Sequence, residues 1–236
     1  MMPAAADLLI VEGLEKSFTL HLHGGARLPV VAGVAFAVER GECVVLGGPS
    51  GAGKSSILKM AYGNYRADRG RILLADGGRF LDIAQASPGE IVDARRRIMG
   101  YVSQFLRVIP RVSALDIVAA AARGSKPRRR ERGRRRCSPA STCPTASGPC
   151  RPRPFRAASK QRVNIARGFA GEHDLLILDE PTASLDAVNR DAVVALIAER
   201  RALGAGFLSI FHDEDVRERL ADRVIDVLPF SAQAAA

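Results

Sequence analysis

The octapeptide Gly48-Pro49-Ser50-Gly51-Ala52-Gly53-Lys54-Ser55 matches the pattern G-x-x-x-x-G-K-[ST], which few folds can carry. It follows the apolar run ECVVLG and precedes SSILKMAYG, which predict a buried strand and a helix. In such a loop the glycines let backbone amides surround a phosphate, and the start of the helix favours an anion. We therefore predict a nucleotide phosphate site formed by Gly48, Pro49, Ser50, Gly51, Ala52, Gly53, Lys54, Ser55 and Ser56, in which Lys54 neutralises phosphate oxygens and Ser55 binds Mg²⁺.

The rest of the chain alternates between strand and helix patterns, which indicates an α/β fold with a mainly parallel sheet. Ser87-Pro88-Gly89-Glu90 is a capping box that predicts a helix to about Arg97, and Ser113 to Asp116 predicts the start of another. Predicted strands cover 8–18, 42–47, 71–76, a run ending at Gln104, 174–180, 206–212 and 223–228. Later helices are predicted to begin near Val163, to end at Gly204 and to begin at Asp213.

A second motif follows the apolar run Leu175 to Leu178, which ends in Asp179 and Glu180. Two adjacent carboxylates at the end of a buried strand suit phosphoryl chemistry. Asp179 would hold Mg²⁺ through its water shell, and Glu180 would orient or deprotonate the attacking water.

The residues around these two motifs resemble the ATP-binding cassette (ABC) family of ATPases, which implies a P-loop fold with an added antiparallel β part and a helical subdomain. Gln104 in YVSQF matches the glutamine that links the Mg²⁺ site to a partner, and Asp186 in PTASLDA matches a residue that faces the opposite protomer. His212 in SIFHDE matches the histidine that touches the γ-phosphate, and Phe18 in KSFTLH matches the aromatic that stacks on adenine. The resemblance therefore implies Mg²⁺ and ATP as ligands, Glu180, His212 and Gln104 as catalytic residues, and a two-fold homo- or heterodimer.

Longer stretches, among them SQFLRVIPRVSALDIV, QRVNIARGF and IFHDEDVRERLADRV, are similar to the PhnL subfamily, ATP-binding subunits of the bacterial phosphonate carbon–phosphorus lyase system. The similarity covers about residues 7–122 and 161–228, which we take as two parts of one nucleotide-binding domain followed by a tail, 229–236. It implies ATPase support of phosphonate breakdown in the cytoplasm, with the other lyase subunits, including a second ABC ATPase, as partners. The sequence has no apolar stretch long enough to span a membrane and no basic leader, which also leads us to expect a cytoplasmic protein.

Residues 123–160, here called the basic segment, depart from this pattern. They contain 13 of the 35 Lys and Arg residues, one of the 25 Asp and Glu residues, three of the four cysteines, and no Leu, Ile, Val or Met. A segment of this composition is predicted to be disordered. An arm that binds nucleic acid is an alternative, but Phe155 is its single aromatic residue, so nucleic acid is an unlikely partner. Cys137, Cys143 and Cys150 lack the spacing and the histidines of a zinc site.

The basic segment also occupies the place of a family motif. An ABC ATPase caps the γ-phosphate with Ser-Gly-Gly-[Gln/Glu] from the opposite protomer, immediately before the helix that QRVNIARGF resembles. Arg156-Ala157-Ala158-Ser159 stands there instead. We hypothesise a reading-frame slip, because codons such as CGG GCG GCG AGC, read from the third base, encode Gly-Gly-Glu.

Three functions remain open on the sequence alone. The first is an ATPase of the phosphonate lyase system, impaired by the basic segment, with the ATPase of a membrane exporter as a variant of this class. The second is a catalytically silent ATP-binding assembly subunit, which measurable turnover would exclude. The third is a nucleic-acid-binding ATPase, which would bind DNA with a steep dependence on salt.

Overall fold

The computed structural model describes residues 6–20, 25–103, 157–183 and 185–231, arranged around two β-sheets. In chain order the elements are β1 (Asp7–Leu20), β2 (Ala26–Glu39), β3 (Cys43–Gly47), α1 (Lys54–Ala61), β4 (Arg69–Asp76), β5 (Arg79–Asp82), α2 (Pro88–Arg97), β6 (Met99–Val102), α3 (Ala157–Phe169), β7 (Leu175–Asp179), α4 (Ala187–Ala202), β8 (Gly206–Ile210), α5 (Glu214–Leu220), β9 (Arg223–Asp226) and a 3₁₀ turn (Leu228–Phe230).

The central sheet is parallel, with the strand order β6-β7-β8-β3-β9. Every residue of β7 and β8 is buried, as expected for parallel strands covered on both faces. One apolar cluster contains Leu46 and Ile177, and a second contains Val45 and Leu178, so alternate side chains of β3 and β7 point to opposite faces. This arrangement confirms the predicted mainly parallel α/β fold.

The second sheet is antiparallel, with the order β2-β1-β4-β5, and it supplies the expected antiparallel part of the fold. The sequence predicts β1 and β4, whereas β2 and β5 are not among its predicted strands. The β1–β2 ladder contains several register shifts, and β2 includes Pro29 and Gly33, so its alternation is weak as a strand signal. β2 nevertheless matters for the site, because Val30 and Val31 lie against the phosphate loop at Gly53.

The helix boundaries confirm some predictions and correct others. In α2, Ser87 and Glu90 form the predicted capping box, with both reciprocal hydrogen bonds present. Helix α3 begins at Ala157, earlier than the predicted start near Val163, so residues 157–160 of the basic segment are helical rather than disordered. Alanine is the strongest helix former, and Ile165 and Phe169 dock the later turns in the core. β6 ends at Val102, two residues before the predicted end.

Several predictions fall outside the described residues: Gln104, the capped helix at Ser113, and the basic segment up to Arg156. Within the part that is described, no helix is both long and apolar enough to cross a bilayer. Cys43 lies in a buried strand, as predicted, and burial raises the pKa of its thiol to about 12.

Candidate functional site

The predicted site residues follow the carboxyl ends of three adjacent parallel strands. The glycine-rich loop follows β3, Glu180 follows β7, and His212 lies two residues after β8. β3 lies between β8 and β9 in the sheet, although it precedes both strands in the chain. The order of the strands therefore changes direction next to β3. Parallel α/β sheets bind ligands in the crevice that such a reversal opens at the carboxyl edge.

The glycine-rich loop has a backbone that side chains at its glycine positions would disturb. Gly48, Gly51 and Gly53 have φ values of 115°, 83° and 99°, in the left-handed region that favours glycine. A Cβ atom on Gly53 would lie 2.5 Å from Val31 Cγ1, so β2 leaves no room for a side chain there. Gly48, Pro49, Ser50 and Gly51 are exposed, Gly53, Ser55 and Ser56 are half-buried, and Ala52 and Lys54 are buried. The loop thus presents an exposed rim over a buried base.

Lys54 begins α1 and extends back under the loop. Its Nζ donates to the carbonyl oxygens of Gly48 and Pro49, each at 2.7 Å. Burial lowers the pKa of Lys54, and the negative charge of Glu180 opposes that shift. Gly53 offers no side chain to cap α1, so the start of the helix faces the loop without a competing carboxylate. These features suit the binding of a phosphate, whose oxygens can replace the two carbonyl acceptors.

Ser55 and Asp179, both predicted to bind Mg²⁺, are in contact. Ser55 Oγ donates to Asp179 Oδ1 at 3.2 Å, although the two residues are 124 positions apart in the chain. The second oxygen, Oδ2, accepts a hydrogen bond from the hydroxyl of Tyr101 at 3.0 Å. Burial raises the pKa of Tyr101, and the Asp179 charge raises it further, so the hydroxyl keeps its proton and remains a donor. Tyr101 is not among the site residues predicted from the sequence, because a tyrosine in a strand usually indicates packing alone.

Glu180 and His212 form a close pair. Glu180 Oε1 lies 2.7 Å from His212 Nε2, and the glutamate side chain is 14% exposed whereas the histidine is 60% exposed. Among the described residues Glu180 is the single non-glycine residue with positive φ, at 52°, and its amide donates to Ile210 O in β8. The fold therefore holds this carboxylate in an uncommon backbone conformation at the strand end.

Phe18 lies on the antiparallel sheet, near the loop. Lys16, two residues earlier, pairs with Val31, the residue whose side chain faces Gly53. The Phe18 ring is half-buried, packs edge-on against Tyr65 at 5.4 Å, and has Lys16 Nζ 5.3 Å from its centre. An aromatic ring in this position can pack against a base whose phosphates occupy the loop.

Helix α3 contacts two of the segments that border the site. Gln161 Nε2 donates to Pro181 O at 2.9 Å, one residue beyond Glu180, and Asn164 Nδ2 donates to Ser103 O, one residue before Gln104. Asp186 caps α4 by accepting from the Asn189 amide at 2.9 Å. The part of α3 that contains Gln161 and Asn164 is thus held next to the ends of β7 and β6.

The donor set at Ser55 and Asp179 fits Mg²⁺. A hydroxyl and a carboxylate are hard oxygen ligands, and Mg²⁺ in nucleotide sites takes few protein ligands and completes its shell with phosphates and water. In the described part of the chain, no group of three or more His, Cys, Asp or Glu side chains could hold a metal ion. A metal that relied on such a cage, such as structural zinc, would find no site there.

Comparisons with known proteins agree with this geometry. The sequence profile described as ABC transporter matches residues 31–183. A lipoprotein-releasing system ATP-binding protein LolD, from Anaeromyxobacter dehalogenans, is 32% identical over 96% of this chain and 92% of its own length. An ABC transporter ATP-binding protein of Bacillus subtilis, YvrO, is 28% identical over 92% of each chain. The ATP-binding cassette MJ0796, solved as a dimer with ADP and phosphate, superposes with a TM-score of 0.72 at 19% identity, covering 94% and 95% of the chains.

Proposed function

The chain belongs to the ABC transporter family of ATPases, and we propose that it binds ATP with Mg²⁺ and hydrolyses it in support of phosphonate breakdown. The observation that carries the ATPase part is the meeting of Lys54, the Ser55–Asp179 contact and the Glu180–His212 pair at one edge of the sheet. The phosphonate part rests on the long sequence stretches that resemble the carbon–phosphorus lyase subunits.

We assign a role to each residue of the site. The glycine-rich loop and Lys54 bind the β- and γ-phosphates, and Ser55 and Asp179 hold the magnesium ion, which supplies positive charge to the phosphate oxygens. Glu180 accepts a proton from the attacking water, and His212, which contacts Glu180 at 2.7 Å, faces the γ-phosphate. Phe18 stacks on the adenine, and Gln104 completes the metal site as the family resemblance implies.

The proposed assembly is a two-fold dimer, with a second copy or with a second ABC ATPase of the lyase system. Solved relatives such as MJ0796 are dimers. Asp186 lies at the exposed start of α4, a few residues from Glu180, where it can meet an opposite protomer.

The ATPase of a membrane transporter is the second candidate. The relative LolD is named for lipoprotein release, and it matches nearly the whole chain. In that case the partner is a permease rather than a lyase subunit.

The two candidates differ in what the chain binds. The chain is expressed with an affinity tag at its native level, and its partners are identified after mild crosslinking. Recovery of carbon–phosphorus lyase subunits, together with loss of growth on a phosphonate as the phosphorus source when the gene is deleted, supports the proposal. Recovery of an integral membrane permease, with unchanged growth on phosphonate, contradicts it and favours the transporter.

The Lys54→Ala variant tests the phosphate site directly. We expect it to abolish ATP binding or to weaken it about 10- to 100-fold, because it removes the Lys54 cation beneath the loop, and hydrogen bonds to charged groups contribute about 1.5–3 kcal/mol each. Titration calorimetry measures the affinity. Lys59→Ala, a lysine on the same helix, is the matched control and should bind ATP within about threefold of the parent. Unchanged affinity in Lys54→Ala would remove the assignment of this loop.

A further inference from the structure

We propose that Tyr101 is a positioning residue for the Mg²⁺ site: its hydroxyl holds the Asp179 carboxylate in the orientation that keeps one oxygen toward Ser55. This inference rests on the proposed function of Asp179 and Ser55 and adds a residue that neither motif contains. The family resemblance assigns no role to the position.

The two oxygens of Asp179 are divided between two donors. Oδ1 faces Ser55 Oγ at 3.2 Å, and Oδ2 accepts from Tyr101 at 3.0 Å. β6 and β7 are neighbours in the parallel sheet, and Tyr101 pairs with Ile177, two residues before Asp179 on the same face of β7. The phenol is long enough to cover that distance along the strand, so the hydroxyl reaches the carboxylate oxygen that Ser55 does not contact.

The Tyr101 ring is itself held in place. Tyr62 packs on it at 4.8 Å with an angle of 34° between the rings, and Tyr62 lies immediately after α1. The Arg95 guanidinium lies 4.4 Å from the centre of the Tyr62 ring, and Arg95 Nε donates to Tyr62 O at 3.0 Å. Arg95 therefore fixes Tyr62, and Tyr62 restricts rotation of Tyr101.

Both ends of α1 consequently act on one carboxylate. Ser55, in the first turn of the helix, contacts Oδ1 directly, and Tyr62, after the last turn, supports the ring whose hydroxyl contacts Oδ2. Asp179 is 7% exposed, so few water molecules can replace the Tyr101 donor if it is removed. Without that donor the carboxylate can rotate and its oxygens no longer have a fixed arrangement for a metal.

Loss of a residue that orients a metal ligand commonly lowers metal affinity by about 10- to 100-fold. Phosphate contacts through the glycine-rich loop and Lys54 do not involve Tyr101. We therefore expect removal of the Tyr101 hydroxyl to weaken binding of the divalent ion and to leave metal-free nucleotide binding unchanged. A general structural defect would weaken both.

The test uses Tyr101→Phe, which removes the hydroxyl and keeps the ring. Mn²⁺ replaces Mg²⁺ as a paramagnetic probe, and its affinity is measured by electron paramagnetic resonance in the presence of a non-hydrolysable ATP analogue. We expect Mn²⁺ affinity to fall by about tenfold or more, and analogue affinity in EDTA to remain within about twofold of the parent. Tyr62→Phe is the matched control, because it removes a hydroxyl from the adjacent ring, and it should retain the parent's Mn²⁺ affinity.

The possible results distinguish a failure of the Tyr101 role from a failure of the proposed metal site. If Asp179→Asn binds Mn²⁺ as the parent does, the proposed metal site fails. If Asp179→Asn loses Mn²⁺ binding while Tyr101→Phe retains it within twofold, the metal site stands and the role of Tyr101 is overturned. A parallel loss of Mn²⁺ and of metal-free nucleotide affinity in Tyr101→Phe also overturns it. Tyr101→Met removes the donor with a different side chain and replaces the Phe variant should that variant fail to fold.

Discussion

Replacing Glu180 by glutamine removes most ATP hydrolysis and leaves nucleotide binding within about twofold of the parent. Positioned general bases contribute about 10²–10⁴ in rate, and the amide keeps the shape of the side chain while losing its basicity. The measurement is phosphate release at saturating Mg–ATP, with affinity determined separately by calorimetry. We expect Glu180→Gln to reduce the hydrolysis rate both in the parent chain and in any variant of the chain that hydrolyses ATP faster.

The surroundings of Glu180 give this prediction its physical basis. The carboxylate is largely buried and contacts His212 at 2.7 Å, so its orientation is set before a substrate arrives. Glu214→Gln, at the exposed start of α5, is the matched control and should leave the rate unchanged. Hydrolysis by Glu180→Gln at the parental rate would show that another group activates the water.

The parallel sheet was predictable from the sequence because its strands carry two independent signals. The first signal is that β3 and β7 are short apolar runs. The second is that a motif typical of a strand end follows each run directly: the glycine-rich loop follows Gly47, and Glu180 follows Asp179. Parallel strands buried on both faces must be continuously apolar, so their length is also readable. The short β6 was misjudged by two residues, because strand ends depend on pairing with β7 that a single sequence does not show.

Only two of the four strands of the antiparallel sheet could be predicted, because the other two lack a regular pattern of apolar residues. β2 is long, but much of it is exposed, it contains Pro29 and Gly33, and its pairing with β1 changes register several times. None of these features makes a regular alternation. The contact of Val31 with Gly53 could not be foreseen either, since it depends on how the two sheets pack.

The candidate site also contains residues that the sequence predicts and one that it does not. The positions of Lys54, Ser55, Asp179, Glu180 and His212 follow from motif order and from the rule that parallel strands end at one edge of the sheet. Tyr101 carries no such signal: its role depends on the β6–β7 register and on the Tyr62 ring, which are properties of the assembled fold. Helix α3 begins earlier than the predicted start near Val163, because Ala157 and Ala158, although outside the family pattern, are strong helix formers.

The sequence at the start of α3 leads to a second prediction with a large expected effect on turnover. Arg156-Ala157-Ala158-Ser159 stands where the family has Ser-Gly-Gly-[Gln/Glu], and two alanines cannot approach a phosphate as closely as glycines. In a dimer of two copies of this chain, each site takes its γ-phosphate donors from the opposite protomer, so both sites lose the same donors. One such donor is commonly worth about 10²–10³ in rate. We therefore expect this chain to bind Mg–ATP and to hydrolyse it slowly.

Restoring the alternate reading frame across residues 123–160 tests the cause. Sequencing of the coding DNA shows whether the shifted frame encodes Ser-Gly-Gly-Glu before Gln161 and an apolar helical segment in place of the Arg- and Pro-rich one. If it does, the repaired protein should release phosphate at least about 100-fold faster than the parent, because the missing donors return to both sites. Glu180→Gln in the repaired protein is the control, since it should remove the recovered activity. Stop codons or no signature in the shifted frame would refute the slip, and the basic segment would then be a genuine part of the protein whose contribution to nucleotide turnover must be measured by deleting it.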